Sequence, residues 1–558
     1  MTTEAATAPG RRLSLSGRVR SAGRALAATR PAYVLGVLLA AQWLALLALA
    51  LTVRHNGWLY YAGGDQLWHY SGAYVLAHGH LPPAFVGYGW SVLLAPVAAI
   101  AGPNIVSALP AIVLFNTLIL LPVALLCVYG IAERIAGRLF GYWAAALWVV
   151  VPYIGVLLVE PGYHQKYTEL TLPQLLGLSS APDFPSMVAL LISAYFCLRT
   201  LDAAGWRAPV AAGLAAGYSI ALKPSNSLYL FAPAVLLLLR KWRAVLPFAL
   251  GLAPALLTLA LWKYRGLGEL AAAPEPQRLA GIGDLAHRIH NPSLNSWEHL
   301  HQVLLGLREH FWVARVFEWL PLAGIIALAL RSVRGLLLLG TWFVAFLLVK
   351  GTYIPASVED ASFFRILMPA FPAYLLLAAS TVLLVPRARA EPGPSPVRLA
   401  GRRLTVAFAA AGVLFVLLPA AVVAAMPTLQ DGGRQAVAYA DSLLPVTGAV
   451  RLQASPSGGD VRLSWNAWHS RPAAVFYRVL RSYPSLSNGG LGCSGTAKGA
   501  NDCRLYMRTA GSTKARSFVD RPGPGRWTYR IGVAANWLND PNFGDVTLLS
   551  RPVTVTVR

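Results

Sequence analysis

Residues 32–53 read AYVLGVLLAAQWLALLALALTV and contain no charged side chain. A helix rises about 1.5 Å per residue, so a run of this length covers the roughly 30 Å hydrocarbon core of a membrane. Similar runs recur along the chain, in which 56% of residues are hydrophobic and 13% are charged. The sequence therefore predicts a polytopic α-helical membrane protein.

The apolar runs predict eleven transmembrane helices, several of them short. A twelfth apolar segment, residues 90–101, is only about a dozen residues long, which suits a helix at the outer interface better than a full crossing. If it did cross, every later loop would change sides and the arginine-rich loops would face outward. The predicted spans are 32–53, 105–129, 140–159, 186–201, 209–222, 226–239, 244–264, 319–330, 335–350, 366–385 and 404–425.

Charged residues indicate the orientation, because Lys and Arg of short loops collect on the cytoplasmic side. The eleven-span order puts Arg134, Arg138, Arg331 and Arg334 on that side and all eleven histidines on the other. We expect a multi-pass cell membrane protein with a cytoplasmic N-terminus and an extracytoplasmic C-terminus. The net charge of +24 is then explained by arginines beside an anionic leaflet, without a nucleic-acid partner. A cleaved signal peptide is the alternative for the N-terminus, but 32–53 exceeds a usual signal core of about 7–15 residues.

Four regions follow from this order. A basic cytoplasmic N-terminus covers 1–31, and a transmembrane domain covers 32–426. A linker, 427–447, leads to a soluble region, 448–558. The transmembrane domain has four outer loops, at 54–104, 160–185, 265–318 and 351–365. Histidines 287, 290, 299, 301 and 310 of the third loop are expected to be solvated loop residues, since His299 and His301 would not share a helix face.

The region after the last span has the alternating pattern of a β domain. Apolar residues alternate in Val461 to Trp465, in Tyr477 to Val479 and in Trp527 to Val533. About seven short strands would build a sandwich of roughly 100 residues. The pattern resembles a fibronectin type III domain over 448–558, which we expect to bind acceptor glycan or a neighbouring envelope protein.

The four cysteines fall into two pairs. Cys127 and Cys197 lie inside predicted spans, where a lone cysteine is usually a small packing residue. Cys493 and Cys503 lie in a glycine-rich stretch of the β domain, and neighbouring extracytoplasmic thiols tend to oxidise. We expect a disulfide between them, with two free thiols and, more remotely, metal ligation as the alternatives.

The first outer loop contains the most informative chemistry. It reads WLYYAGGDQLWHY over 58–70, which places a single carboxylate, Asp65, among aromatic residues just beyond the first span. This arrangement resembles the first outer loop of GT-C glycosyltransferases, which include protein O-mannosyltransferases and bacterial aminoarabinose transferases. The resemblance covers about residues 30 to 385 as a layout rather than a strict motif, and it implies a catalytic role for Asp65. The chain departs from the family in having Gln66 where an acid pair would have its second member.

The resemblance also implies an acid in the outer loop after the third span, where Glu160 and Asp183 are the candidates. One of them with Asp65 would hold a divalent metal, Mg²⁺ or Mn²⁺, if the reaction uses one. Lys223 and Arg365 resemble family positions that meet the phosphate of the lipid donor. Arginine suits this role because its planar fork can hold phosphate oxygens bidentately.

Each of these residues also has a structural interpretation. Asp65 follows two glycines, as a turn residue or helix cap would. Lys223 and Arg365 sit at membrane boundaries, where basic side chains extend to the interface without any ligand.

The sequence thus favours an inverting glycosyltransferase that moves a sugar from a polyprenyl-phosphate donor to a cell-envelope glycan, lipid or protein on the outer face of the bilayer. A transporter or lipid flippase is the main alternative, although ionisable residues inside the predicted spans are few. An inactive GT-C-like scaffold that presents the β domain is the third possibility. The absence of a phosphate-binding GxxxxGK[ST] sequence argues against an ATP-driven pump.

Overall fold

The computed structural model describes most of the chain. Its residues are 23, 25–52, 65–82, 84, 86–102, 105–202, 205–267, 295–312, 315–354, 358, 367–385, 402–427, 446–470, 473–482, 507–535 and 545–558. Arg365 and the pair Cys493 and Cys503 lie outside these residues. Their predicted roles therefore stay predictions.

Fifteen main helices make up most of the described part of the region from residue 31 to residue 425. They are α1 (Pro31–Thr52), α2 (Asp65–Ala77), α3 (Tyr88–Ala101), α4 (Ile105–Ala136), α5 (Arg138–Leu158), α6 (Pro161–Lys166), α7 (Asp183–Asp202), α8 (Arg207–Leu222), α9 (Phe231–Lys241), α10 (Val245–Leu267), α11 (Trp297–His310), α12 (Val316–Arg331), α13 (Val333–Gly351), α14 (Met368–Leu384) and α15 (Arg402–Ala425). The chain is thus a polytopic helical protein with a C-terminal β region, as the sequence predicts.

Six segments of the described chain are long and apolar enough to cross a membrane. One of them, Pro224–Gly266, is interrupted at Lys241, whose φ of −160° and ψ of 62° break the helix, so it contains two of the predicted spans. The predicted spans 209–222, 319–330, 366–385 and 404–425 coincide with α8, α12, α14 and α15, which are shorter or described in part. The segment predicted at 90–101 is the 14-residue helix α3.

Local sequence explains where several helices end. Gly137 separates α4 from α5 with a φ of 93°, a left-handed conformation that favours glycine. Pro161 follows the cap residue of α6, a position where its missing N–H costs nothing. The prediction of loop for the histidines after residue 295 is wrong for 297–310, which form α11. Leu300, Val303 and Leu307 supply its buried face.

Helices α8 and α10 cross at very close range. A Cβ on Gly213 of α8 would lie 2.0 Å from the carbonyl oxygen of Phe248, and one on Gly251 of α10 would lie 2.3 Å from that of Val210. Small residues at such crossings let helix backbones approach in membranes. The crossing sets the positions of the C-terminal ends of α8 and α10, which carry Lys223 and Lys263.

Ion pairs join the loops that were predicted to face the cytoplasm. Asp202 at the end of α7 contacts Arg134 Nε at 3.3 Å and Arg334 Nη1 at 3.0 Å. Glu133 accepts a hydrogen bond from Tyr129 and lies 3.8 Å from Arg138. These residues therefore share one face of the helical domain. Which side of the membrane that face meets stays a prediction.

The β region forms two sheets. Strands β2 (Leu452–Ser457), β3 (Asp460–Trp465) and β6 (Ser517–Asp520) pair antiparallel. The second sheet has the order β1-β8-β7-β4-β5, with β9 also on β7; its strands are β1 (Val446–Thr447), β4 (Ala474–Ser482), β5 (Met507–Thr513), β7 (Gly525–Ala535), β8 (Asp545–Ser550) and β9 (Val553–Val557). The assignment to the fibronectin type III family stays a prediction.

Alternating residues fill the core between the two sheets. The predicted faces Val461 to Trp465, Tyr477 to Val479 and Trp527 to Val533 all supply buried residues to one cluster, which confirms the alternation. Arg481 Nη1 bonds Asp520 Oδ2 at 2.6 Å, and the hydroxyl of Tyr529 donates to the same oxygen at 2.7 Å. These bonds link the second sheet to β6 of the first.

The second sheet is also buried on its other face. Leu480, Val546 and Leu549 belong to one buried apolar cluster with Leu67 and Tyr70 of α2. The β region therefore packs in the same apolar cluster as the helix that begins at Asp65. Cys127 and Cys197 are buried free thiols, as their packing role predicts.

Candidate functional site

An ion pair lies where α7 begins and α8 ends. Asp183 is the first residue of α7 and is fully buried, and Lys223 follows the last residue of α8. Lys223 Nζ contacts Asp183 Oδ1 although the two residues are 40 positions apart. The sequence singled out both residues but assigned them to different roles. The structure brings them together.

His69 joins this pair from α2. It lies one helical turn after Asp65 and is only 2% exposed. Burial and, after it, the charges of Lys263 and Lys223 lower the pKa of the His69 imidazole from 6.5 to about 3. The imidazole is therefore neutral at physiological pH. Its Nδ1 lies 3.5 Å from the hydroxyl oxygen of Ser91.

Two buried lysines complete the cluster, and sequence reasoning missed both. Lys263, near the end of α10, donates from Nζ to the carbonyl oxygen of Ala84 at 2.5 Å. Lys350, near the end of α13, lies within electrostatic range of Lys223. Each is 1% exposed. A signal was present, since a lysine at the end of an apolar run is a candidate functional residue in a membrane protein.

Asp65 is tied to the same region through its neighbour. It is the first residue of α2, where a carboxylate also interacts favourably with the helix dipole. Gln66 Oε1 accepts hydrogen bonds from the N–H and the hydroxyl of Ser180, at 3.3 and 2.9 Å. Ser180 lies three residues before Asp183, so the starts of α2 and α7 are held together. The cluster of Asp65, His69, Asp183, Lys223, Lys263 and Lys350 is termed the basic junction below.

Glu160 has a well-defined structural role. Its Oε2 accepts a hydrogen bond from the N–H of Tyr163 at 3.0 Å and so caps α6. Its own N–H donates to the carbonyl oxygen of His310 at 3.1 Å. A cap typically contributes about 1 kcal/mol to a helix. The role of Glu160 as the acidic partner of Asp65 stays a prediction.

The described residues do not fit a divalent metal. Within them, no three His, Cys, Asp or Glu side chains come together in a way that could hold one. Asp183 contacts the ammonium group of Lys223, which lies within electrostatic range of His69 and Lys350. Such a set of groups suits an anion better than a cation. The predicted Mg²⁺ or Mn²⁺ stays a prediction.

The basic junction can hold an anion and move a proton. Lysine ammonium groups bind phosphate as point charges, and partial burial strengthens the attraction. A carboxylate at the start of α2 can accept a proton from a hydroxyl that approaches it. The arrangement therefore has the parts for displacement of a phosphate by a hydroxyl.

Comparison with known proteins gives matches only at the level of structure. No protein-family model matches the sequence, and no curated protein matches it. The apo oligosaccharyltransferase of Archaeoglobus fulgidus matches with a TM-score of 0.39 and 16% identity, over 74% of this chain and 58% of that one. ArnT from Cupriavidus metallidurans, bound to undecaprenyl phosphate, matches with a TM-score of 0.38 and 15% identity, over 73% and 69%.

A third match is AglB of Archaeoglobus fulgidus in complex with an inhibitory peptide and a dolichol-phosphate. Its TM-score is 0.38 and its identity 12%, over 74% of this chain and 57% of that one. The chain thus spans less than two thirds of the length of the archaeal enzymes. At these identities and TM-scores the matches carry over no family, reaction, substrate or residue's role to this chain.

Proposed function

We propose that this chain is an inverting membrane glycosyltransferase that transfers a sugar from a polyprenyl-phosphate donor to a hydroxyl of a cell-envelope glycan, lipid or protein. The observation that carries the proposal is the basic junction, where the Asp183–Lys223 pair lies within electrostatic range of His69 of the helix that begins at Asp65. These groups come from α2, α7 and α8, which are far apart in sequence.

The lysines are suited to the departing phosphate. When the bond between the sugar and the phosphate breaks, negative charge develops on the lipid phosphate, and positive groups fixed in advance stabilise that charge. Lys223 would contact the phosphate and give up part of its contact with Asp183. Lys350 and Lys263 lie near enough to add to the field. Arg365 would bind further phosphate oxygens, as the resemblance implies.

Asp65 is proposed as the general base. An acceptor hydroxyl is a poor nucleophile until its proton is taken, and a carboxylate within hydrogen-bond reach can take it. Attack from the side opposite the phosphate would invert the anomeric carbon. Neutral His69, one turn further along α2, can orient a sugar or acceptor hydroxyl by hydrogen bonding.

The test is transfer by purified protein in matched lipid. Wild type should transfer radiolabelled sugar from a synthetic polyprenyl-phosphate sugar to an envelope glycan extract, and Asp65→Asn should lose about 10²–10⁴-fold in rate. Asp460→Asn, at a β-region carboxylate 3.4 Å from Arg521, is the matched control and should transfer at the wild-type rate. Equal rates for wild type and Asp65→Asn would remove Asp65 from the mechanism.

One observation favours transport as a second candidate. The fully buried Asp183 and the buried Lys263 and Lys350 are ionisable groups within or at the ends of apolar helices, as transport pathways commonly have. Transporter sites usually lie near the midplane, whereas these groups lie at helix ends. Movement of a labelled polyprenyl lipid from one leaflet to the other in vesicles that contain the protein, without transfer of its sugar, would support transport instead.

A further inference from the structure

Three buried residues from separate segments form a hydrogen-bonded clamp beside the basic junction. Gln66 belongs to the start of α2, Trp90 to α3 and Ser180 to the turn before α7. Gln66 Oε1 accepts from the N–H and the hydroxyl of Ser180, and Trp90 Nε1 donates to the carbonyl oxygen of Ser180 at 2.7 Å. The N–H, the hydroxyl and the carbonyl of Ser180 are therefore all bonded to these two side chains.

The turn that contains Ser180 is held from a further direction. Asn116 Nδ2 donates to the carbonyl oxygens of Gly177 and Ser179, both at 3.1 Å. Asn116 begins a π-helical turn, Asn116–Leu120, inside α4. Such π turns are frequent at functional sites. The turn before α7 is thus fixed both to α4 and to the start of α2.

The clamp lies next to both proposed acids in sequence. Gln66 follows Asp65 directly, and Ser180 precedes Asp183 by three residues. Because all three clamp residues are buried, water cannot replace a lost bond, and the turn would have to shift to satisfy its polar groups. A shift there changes the position of Asp65 relative to Asp183 and Lys223.

We propose that Gln66 is a positioning residue that holds Asp65 in register with the Asp183–Lys223 pair. This inference rests on the proposed function. Gln66 occupies the place beside Asp65 where an acid pair would have its second carboxylate, and it uses its amide oxygen as an acceptor for Ser180. Gln66 affects the reaction only by positioning Asp65, because its own side chain bonds Ser180.

The experiment compares three variants with a matched control. Gln66→Leu removes the acceptor and should lower kcat about 10²-fold, the cost of misplacing a reacting group by about 1 Å, with little change in donor KM. Gln66→Glu keeps an oxygen that accepts both bonds and should retain most of kcat. Ser180→Ala loses one of the two bonds and should give an intermediate rate. Gln165→Leu, at a half-buried helical glutamine that bonds Glu169, should transfer at the wild-type rate.

A double-variant cycle separates positioning from general structural damage. If Gln66 acts through Asp65, then Gln66→Leu should change the residual rate of Asp65→Asn by less than about 2-fold, because coupled residues are not additive. The proposal is overturned if Gln66→Leu lowers the rate of Asp65→Asn by the same factor by which it lowers the rate of wild type. It is also overturned by a wild-type kcat for Gln66→Leu.

A distance measurement gives a result that does not depend on activity. Spin labels at His78, which is exposed just beyond α2, and at Gly162, which is exposed in α6, report the position of α2 relative to the segment that leads to Ser180. Gln66→Leu should shift or broaden the distance distribution, and Gln66→Glu should not. An unchanged distribution for Gln66→Leu would refute the clamp's role. Absence of transfer by wild type, with the distance shift present, would refute the proposed function alone.

Discussion

Single residues in the basic junction have both a structural and a chemical role. A buried carboxylate is costly without a partner, so Asp183 needs Lys223 whether or not a substrate is bound. A phosphate that binds Lys223 competes with Asp183 for the same ammonium group. The two roles can be separated, because stability depends on the Asp183–Lys223 pair, whereas phosphate binding needs Lys223 and does not need Asp183.

Replacement of Lys223 tests this separation. Lys223→Met removes the ammonium group that contacts Asp183 and should destabilise the protein by about 3–5 kcal/mol. Lys223→Met with Asp183→Asn should recover much of that stability. Polyprenyl phosphate should raise the melting temperature of wild type and of Lys514→Met, an exposed control in the β region, but not that of the double variant. A melting shift in the double variant equal to that of wild type would exclude Lys223 from the phosphate site.

His69 predicts how stability depends on pH. Its pKa is about 3 in the folded protein and 6.5 ordinarily, so between these values the unfolded chain binds a proton that the folded chain does not. The contribution of neutral His69 to the free energy of unfolding is fully present above about pH 6.5 and is lost as pH falls toward 3. Wild type should therefore lose more melting temperature than His69→Gln between pH 7 and pH 5. An equal fall in melting temperature for the two proteins between pH 7 and pH 5 would contradict a buried, neutral His69 imidazole.

At the scale of elements, the hydrophobic pattern predicted the helices but not which of their ends meet. The apolar runs are visible because the longer ones span about 20 residues, and the strands of the β region are visible because their residues alternate. The contact between Asp183 and Lys223 was not predictable, since it depends on how α7 and α8 pack. Lys263 and Lys350 were overlooked because a run of apolar neighbours hides a single lysine in any average over the segment.

The crossing of α8 and α10 gives a prediction for these elements. Gly251→Val would place a side chain against the carbonyl oxygen of Val210 and force the helices apart. Overpacking of this kind typically costs about 1–3 kcal/mol. Because Lys223 and Lys263 lie at the ends of these helices, donor KM should rise as well. Gly36→Val is the control, since a Cβ at Gly36 meets nothing within 4 Å, and it should behave as wild type in melting and in transfer.

At the scale of the whole molecule, the β region shares an apolar cluster with the helix that carries Asp65 and His69. The second sheet buries Leu480 and Leu549 on the face that points away from the sandwich core, together with Leu67 and Tyr70. A sheet buried on both faces is supported from both sides. The β region therefore supports the apolar cluster in which α2 is packed.

Disruption of this packing should lower transfer without unfolding either part. Leu549→Glu would put a carboxylate into the shared cluster, where burial of a charge without a partner is unfavourable, so the β region should separate from α2. We expect kcat to fall while the helical domain keeps its melting transition, because the junction loses support for α2 but keeps its own ion pair. Val519→Glu, at an exposed position in the same region, should leave kcat unchanged. Labelling of a cysteine introduced at Leu67 shows whether the cluster has opened in Leu549→Glu. If it has opened and kcat equals that of wild type, then α2 is held by the helical domain alone.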